Sequence, residues 1–124
     1  MQVRAMDPPR RFAVGHRGVV ISHVAKITLE SEEQVSLMSD SGAEWDVVRK
    51  DWGYYATPSL NGRLREHRLR AVLVRSAAQR LYLLLVERGE EAAFEVYRDD
   101  ESLEIVHWLD DDEACERAAG LLAG

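Results

Sequence analysis

The stretch Trp52-Gly53-Tyr54-Tyr55-Ala56-Thr57-Pro58-Ser59-Leu60-Asn61-Gly62-Arg63-Leu64, with His67 just beyond, is the part of this chain best supplied with binding groups. Thr57-Pro58 has the chemistry of a helix start, with a hydroxyl at the N-cap and Pro at the first helical position. Such a terminus offers free backbone N–H groups and a positive dipole end to an anion. Arg63 supplies a planar cation. Across Gly62 it could stack on Tyr54 or Tyr55 and turn its fork toward an anion. The rings of Trp52, Tyr54 and Tyr55 could wall a mostly apolar pocket. The residues expected to bind are therefore Trp52, Tyr54, Tyr55, Thr57, Ser59, Arg63 and His67.

Other chemistries are less well served. The imidazoles of His16, His23, His67 and His107 show no helical metal spacing, although His16 and His23 could converge across a bend at Gly18. No metal site and no cofactor are expected. Cys115 follows four acids, whose charge opposes thiolate formation, and Ser59 lacks a nucleophile-elbow motif. No catalytic residue is assigned. Asp110-Asp111-Asp112-Glu113 and Asp99-Asp100-Glu101 lack calcium-loop spacing and read as a helix cap and a solvated turn. There is no Gly-rich phosphate loop or dinucleotide fingerprint.

These groups must be held by a chain of 124 residues, 46% hydrophobic and 31% charged, which predicts one globular domain over 1–124. A lone Cys fits a reducing compartment, and the first residues lack the apolar core of a signal peptide. A cytoplasmic protein is expected. The net charge of −6 is uneven, because arginines crowd residues 49–80 and acids crowd 87–116. Overall acidity weakens the case for nucleic acid, whose binding is mainly electrostatic.

Residues 1–11 read as a flexible arm, and 12–56 as mainly strands. Alternation predicts strands over 18–28, 34–39 and 44–50, joined by polar turns as a meander. Beyond Thr57 the pattern predicts a helix, strands over 69–76 and 80–87, a helix over 89–99, a strand over 103–109, and a final helix. Leu81 to Val86 is a continuous apolar run, the mark of a central strand. In the final helix Ala114, Ala118 and Leu121 would form the apolar face. The fold class expected is α+β: an N-terminal β-meander, then over 57–124 a ferredoxin-like α-β-β-α-β-α unit of the split βαβ kind.

The 52–64 stretch, Glu44-Trp45-Asp46-Val47, Leu83-Leu84-Leu85-Val86-Glu87 and His107-Trp108-Leu109-Asp110 together carry a resemblance over roughly residues 44–110. The chain resembles a group of small, stand-alone, uncharacterised bacterial proteins. That implies bacterial origin and stand-alone occurrence, and it transfers no site residue.

The function expected is that of a non-catalytic binding or accessory protein, recognising a small anionic ligand or a partner protein through residues 52–64. One alternative is a small enzyme using His67, Arg63 or a Tyr of the stretch on a carboxylate- or phosphate-bearing metabolite. Another is an RNA-binding module that stacks bases on the aromatic residues. No membrane partner is expected. Sheet edges in need of cover predict a homodimer.

Overall fold

A computed structural model of the chain describes the backbone of residues 1–110 and 112–123, with side chains throughout except at positions 57, 114, 118 and 121–123. The described residues are 50% strand and 17% helix, arranged among themselves as three small antiparallel sheets and two α-helices. This overturns the expected α-β-β-α-β-α unit. The chain divides into two compact units, Met1–Val35 with Val47–Tyr55, and Ser36–Asp46 with Ala56–Gly124.

In the first unit, β1 (Gln2–Val14) and β2 (Val19–Thr28) make an antiparallel hairpin, pairing Val14 with Val19, Phe12 with Ile21 and Val3 with Ile27. The segment read as a flexible arm is thus strand. Its Pro8 and Pro9, which cannot donate to a ladder, fall in a register shift between Ala5 and Arg10 that leaves them outside the pairing. Strands β3 (Gln34–Met38), β4 (Glu44–Lys50) and β5 (Gly53–Thr57) form a sheet in that order, and each contributes residues to both units. The meander therefore begins at β3, because β2 pairs backward with β1.

In the second unit, no α-helix begins at Thr57-Pro58. Arg63–Arg65 forms one 3-10 turn with Gly62 before it. Asn61-Gly62 interrupts the segment, and Ser59 Oγ accepts from the Arg63 amide at 3.0 Å, so the hydroxyl caps a turn two residues later than expected. A sheet follows with order β7-β6-β8, from β6 (Leu69–Arg75), β7 (Leu81–Glu87) and β8 (Glu104–Trp108). Both neighbours run antiparallel to β6. The apolar run in β7 is therefore an edge, and Leu81, Tyr82 and Leu83 are exposed. The central strand is β6, with Ala71, Val72 and Val74 wholly buried.

Helix α1 (Glu91–Asp100) inserts Phe94 into a core with Val72, Val74, Val86 and Leu103. The Phe94 and Trp108 rings meet edge to face at 5.6 Å, the arrangement their quadrupoles favour. A second core, of Ala43, Leu64, Leu69 and Ala71, takes in Trp45, Leu60, Leu85 and Leu109 at its rim. Helix α2 (Asp112–Ala123) closes the chain. Its expected apolar face at Ala114, Ala118 and Leu121, and the Asp111 of its expected cap, lie outside the described residues. Among the described residues, no helix is long and apolar enough to cross a membrane.

Candidate functional site

Strand geometry places Glu44 and Asp46, two residues apart on β4, on one face, while Trp45 between them turns to the second core. His67 arrives from the turn after Arg65, where its carbonyl accepts from the Glu44 amide at 3.1 Å. That backbone bond sets the imidazole beside the carboxylates. His67 Nδ1 lies 3.4 Å from Glu44 Oε2 and 3.9 Å from Asp46 Oδ2. Asp46 is the one buried charged residue among those described, at 8% exposure, and Ser36 Oγ on β3 donates to its Oδ1 at 2.6 Å. His67 Nδ1 is itself enclosed and has no hydrogen-bond partner.

Of the residues expected to bind, only His67 enters this cluster. Ser59 Oγ is engaged by the Arg63 amide, and Arg63 is exposed on its 3-10 turn. The Thr57 side chain lies outside the described residues. Trp52, Tyr54 and Tyr55 belong to the first unit, whereas Ser59, Arg63 and His67 belong to the second. The cation found at Tyr54 is Arg49 of β4, its guanidinium 5.5 Å from the ring centroid while Nη1 donates to the Gly53 carbonyl at 2.9 Å. All three rings are exposed, Trp52 by 74%, Tyr54 by 64% and Tyr55 by 51%.

Gly62 leaves room for the Ser59 hydroxyl. A Cβ there would stand 2.7 Å from Ser59 Oγ and displace the hydroxyl that caps Arg63. Of the other imidazoles, His16 is in the hairpin turn and His23 opposite Arg10 on β2, both in the first unit, and His107 is opposite Leu73 on β8. Half-buried Cys115 donates its thiol to the Leu109 carbonyl at 3.4 Å, a weak structural bond.

Among the described residues, an ionic network is centred on Arg70. Its Nε donates to Asp110 Oδ2 at 2.7 Å, Nη1 lies 3.5 Å from Glu91, and Arg88 approaches Asp110 at 3.7 Å. The Arg70 guanidinium is raised in pKa chiefly by its hydrogen bond to Asp110. Burial pushes the Asp110 carboxyl up, but hydrogen bonding and charge from Arg70, with Arg88 behind, outweigh it and hold the group below its ordinary range. Every charge here meets an opposite one, the pattern of a structural clasp. Elsewhere, hydroxyl bonds from Ser41 and Ser39 lower the Glu87 carboxyl and tie the turn after β3 to the end of β7.

A cleft of about 230 Å³ beside β6, β7 and α1, lined by Val74, Tyr82, Leu84, Tyr97 and Glu101, is smaller than the usual small-molecule site. Comparison with known proteins returns no match to any family model, curated protein or solved structure. Of the Glu44–Asp46–His67 cluster, the sequence points only to His67. The cluster's other readable signal is two acids at strand spacing flanking a tryptophan in Glu44-Trp45-Asp46, but their histidine lies more than twenty residues away.

Proposed function

We propose that the chain is a non-catalytic binding or accessory protein that recognises a partner protein through the 52–64 stretch, with Trp52, Tyr54 and Tyr55 as the contact. The carrying observation is the exposure of these three rings, each more than half open, at an edge strand. Burying so much aromatic surface is favourable, and Trp and Tyr are the residues most enriched where interfaces gain their affinity. Tyr54 and Tyr55, adjacent in a strand, point to opposite faces of β5. A partner segment lying along the edge would meet a ring on either side and the unpaired backbone between them. Of the two ligand classes the stretch suggested, the small anion loses its helix N-terminus, since one 3-10 turn stands in its place. The single Cys115 suits a cytoplasmic setting.

The test is affinity capture from the native cells with wild type and a folded Trp52→Ala/Tyr54→Ala/Tyr55→Ala variant, then reconstitution of each captured protein with the purified chain. A protein bound at least tenfold more tightly by wild type supports the reading. Equal binding to both chains, or capture of nuclease-sensitive RNA alone, overturns it.

We infer also that two copies of the chain pair through the β1–β2 hairpin. The register sets Val3, Val14, Val19, Ile21 and Ile27 on one face with half-buried Phe12, and the five aliphatic residues are exposed. A two-stranded sheet is marginal in water without a partner on its apolar face. A self-complementary face is what a two-fold dimer requires.

A further inference from the structure

We propose that Glu44, Asp46 and His67 bind one divalent transition-metal ion, with Zn²⁺ the ion best matched to the donors. One imidazole and two carboxylates are ligands for zinc and its first-row neighbours, whereas calcium requires six or more oxygens. The three donor atoms lie within 4.8 Å of one another, with Nδ1 at 3.4 Å from Glu44 and 3.9 Å from Asp46. Ligand atoms around a tetrahedral ion with bonds of about 2.0–2.1 Å stand about 3.3 Å apart. His67 Nδ1 and Glu44 are thus already at that spacing, and Asp46 has a short distance to close.

The enclosed Nδ1 is an independent pointer to a ligand. It has no access to water and no hydrogen-bond partner, although two carboxylates flank it at distances too long or angles too poor to satisfy it. A buried polar atom left in that condition is costly. An ion between the three groups would engage the nitrogen lone pair and both acids at once. The surrounding structure is arranged to hold them. Ser36 anchors the far oxygen of Asp46, and the Glu44 amide is tied to the His67 carbonyl. Such outer contacts orient ligands and strengthen metal binding. Asp46 and His67 form the closed side of the site, their side chains 12% and 14% exposed, while Glu44 at 33% leaves a way in. The fourth coordination position would face that opening and carry water.

The alternative is a metal-free cluster in which His67 and the two acids serve only as structural contacts. Zinc titration of chelator-stripped, tag-free protein separates the two. We expect one equivalent of Zn²⁺ to bind with micromolar or better affinity and raise the melting temperature. Both effects should fall at least tenfold in affinity for His67→Gln and for Glu44→Gln, and remain unchanged in His16→Ala/His23→Ala. Glu44 is partly exposed, so Glu44→Gln decides the matter if His67→Gln does not fold. Absence of zinc binding by the wild-type chain, or undiminished binding by the folded variants, overturns the proposal.

Discussion

Arg70 sits over Trp108, its guanidinium carbon 3.9 Å from the ring centroid, while Nε donates to Asp110 at 2.7 Å. The stacking face and the hydrogen-bonding edge of the fork are used together, as only arginine allows. The Arg70 side chain is 24% exposed and Asp110 10%, so removing the cation strands a nearly buried carboxylate. Arg70→Ala should lower stability by about 2 kcal/mol, and Arg70→Lys should recover less than half of the loss. Urea denaturation of the three proteins checks both.

The same pair makes stability depend on acidity. The Asp110 carboxyl is lowered from an ordinary value of 3.8, so the folded state favours its ionised form. Its contribution is fully present above that value, declines as pH falls below it, and is lost once pH passes the lowered folded value. Asp110→Asn should therefore be less stable than wild type near neutrality, and the difference should shrink through the acid limb. Denaturation midpoints measured from pH 6 downward report the slope. A gap that stays constant with pH would contradict this account.

Gly62 and Ser59 should be coupled. Gly62→Ala forces Ser59 Oγ off the Arg63 amide and should cost about 1 kcal/mol, one ordinary hydrogen bond. In a Ser59→Ala background that hydroxyl is already gone, and the same substitution should cost much less. A double-mutant cycle by chemical denaturation measures the difference, and additive losses would dismiss the coupling.

Pairing of the hairpins predicts a dimer mass by light scattering at micromolar concentration. Ile21→Lys sets a charge among the exposed aliphatic residues and should return a monomer of unchanged circular dichroism. A wild-type chain that is monomeric at high micromolar concentration would end the pairing model.

Most strands were legible because alternation of apolar residues is a local signal. The runs predicted over 34–39, 44–50, 69–76 and 103–109 match β3, β4, β6 and β8 within two residues at each end. Errors arose where partners elsewhere decide the outcome. Asp7-Pro8-Pro9 resembles an arm until β2 is present to carry strand around it. Thr57-Pro58 resembles a helix start until Ser59 is seen capping Arg63. Leu81–Val86 has the composition of a central strand, yet β6 takes that place by pairing on both edges while Arg70 and Arg75 find acids at Asp110 and Glu104. The Glu44–Asp46–His67 cluster was least legible, since the turn that brings His67 to β4 leaves no mark in either segment.

Strand β6 sends Val72 and Val74 into one core and Leu69 and Ala71 into the other. A one-residue slip would exchange the two sets, putting the small Ala71 against Phe94 and a valine into the space that fits an alanine. Both cores would fail together, so neither can drift in register while the other holds it. Among variants of this chain that still fold, insertions and deletions should therefore be excluded from Leu69–Arg75 and collect in the turns.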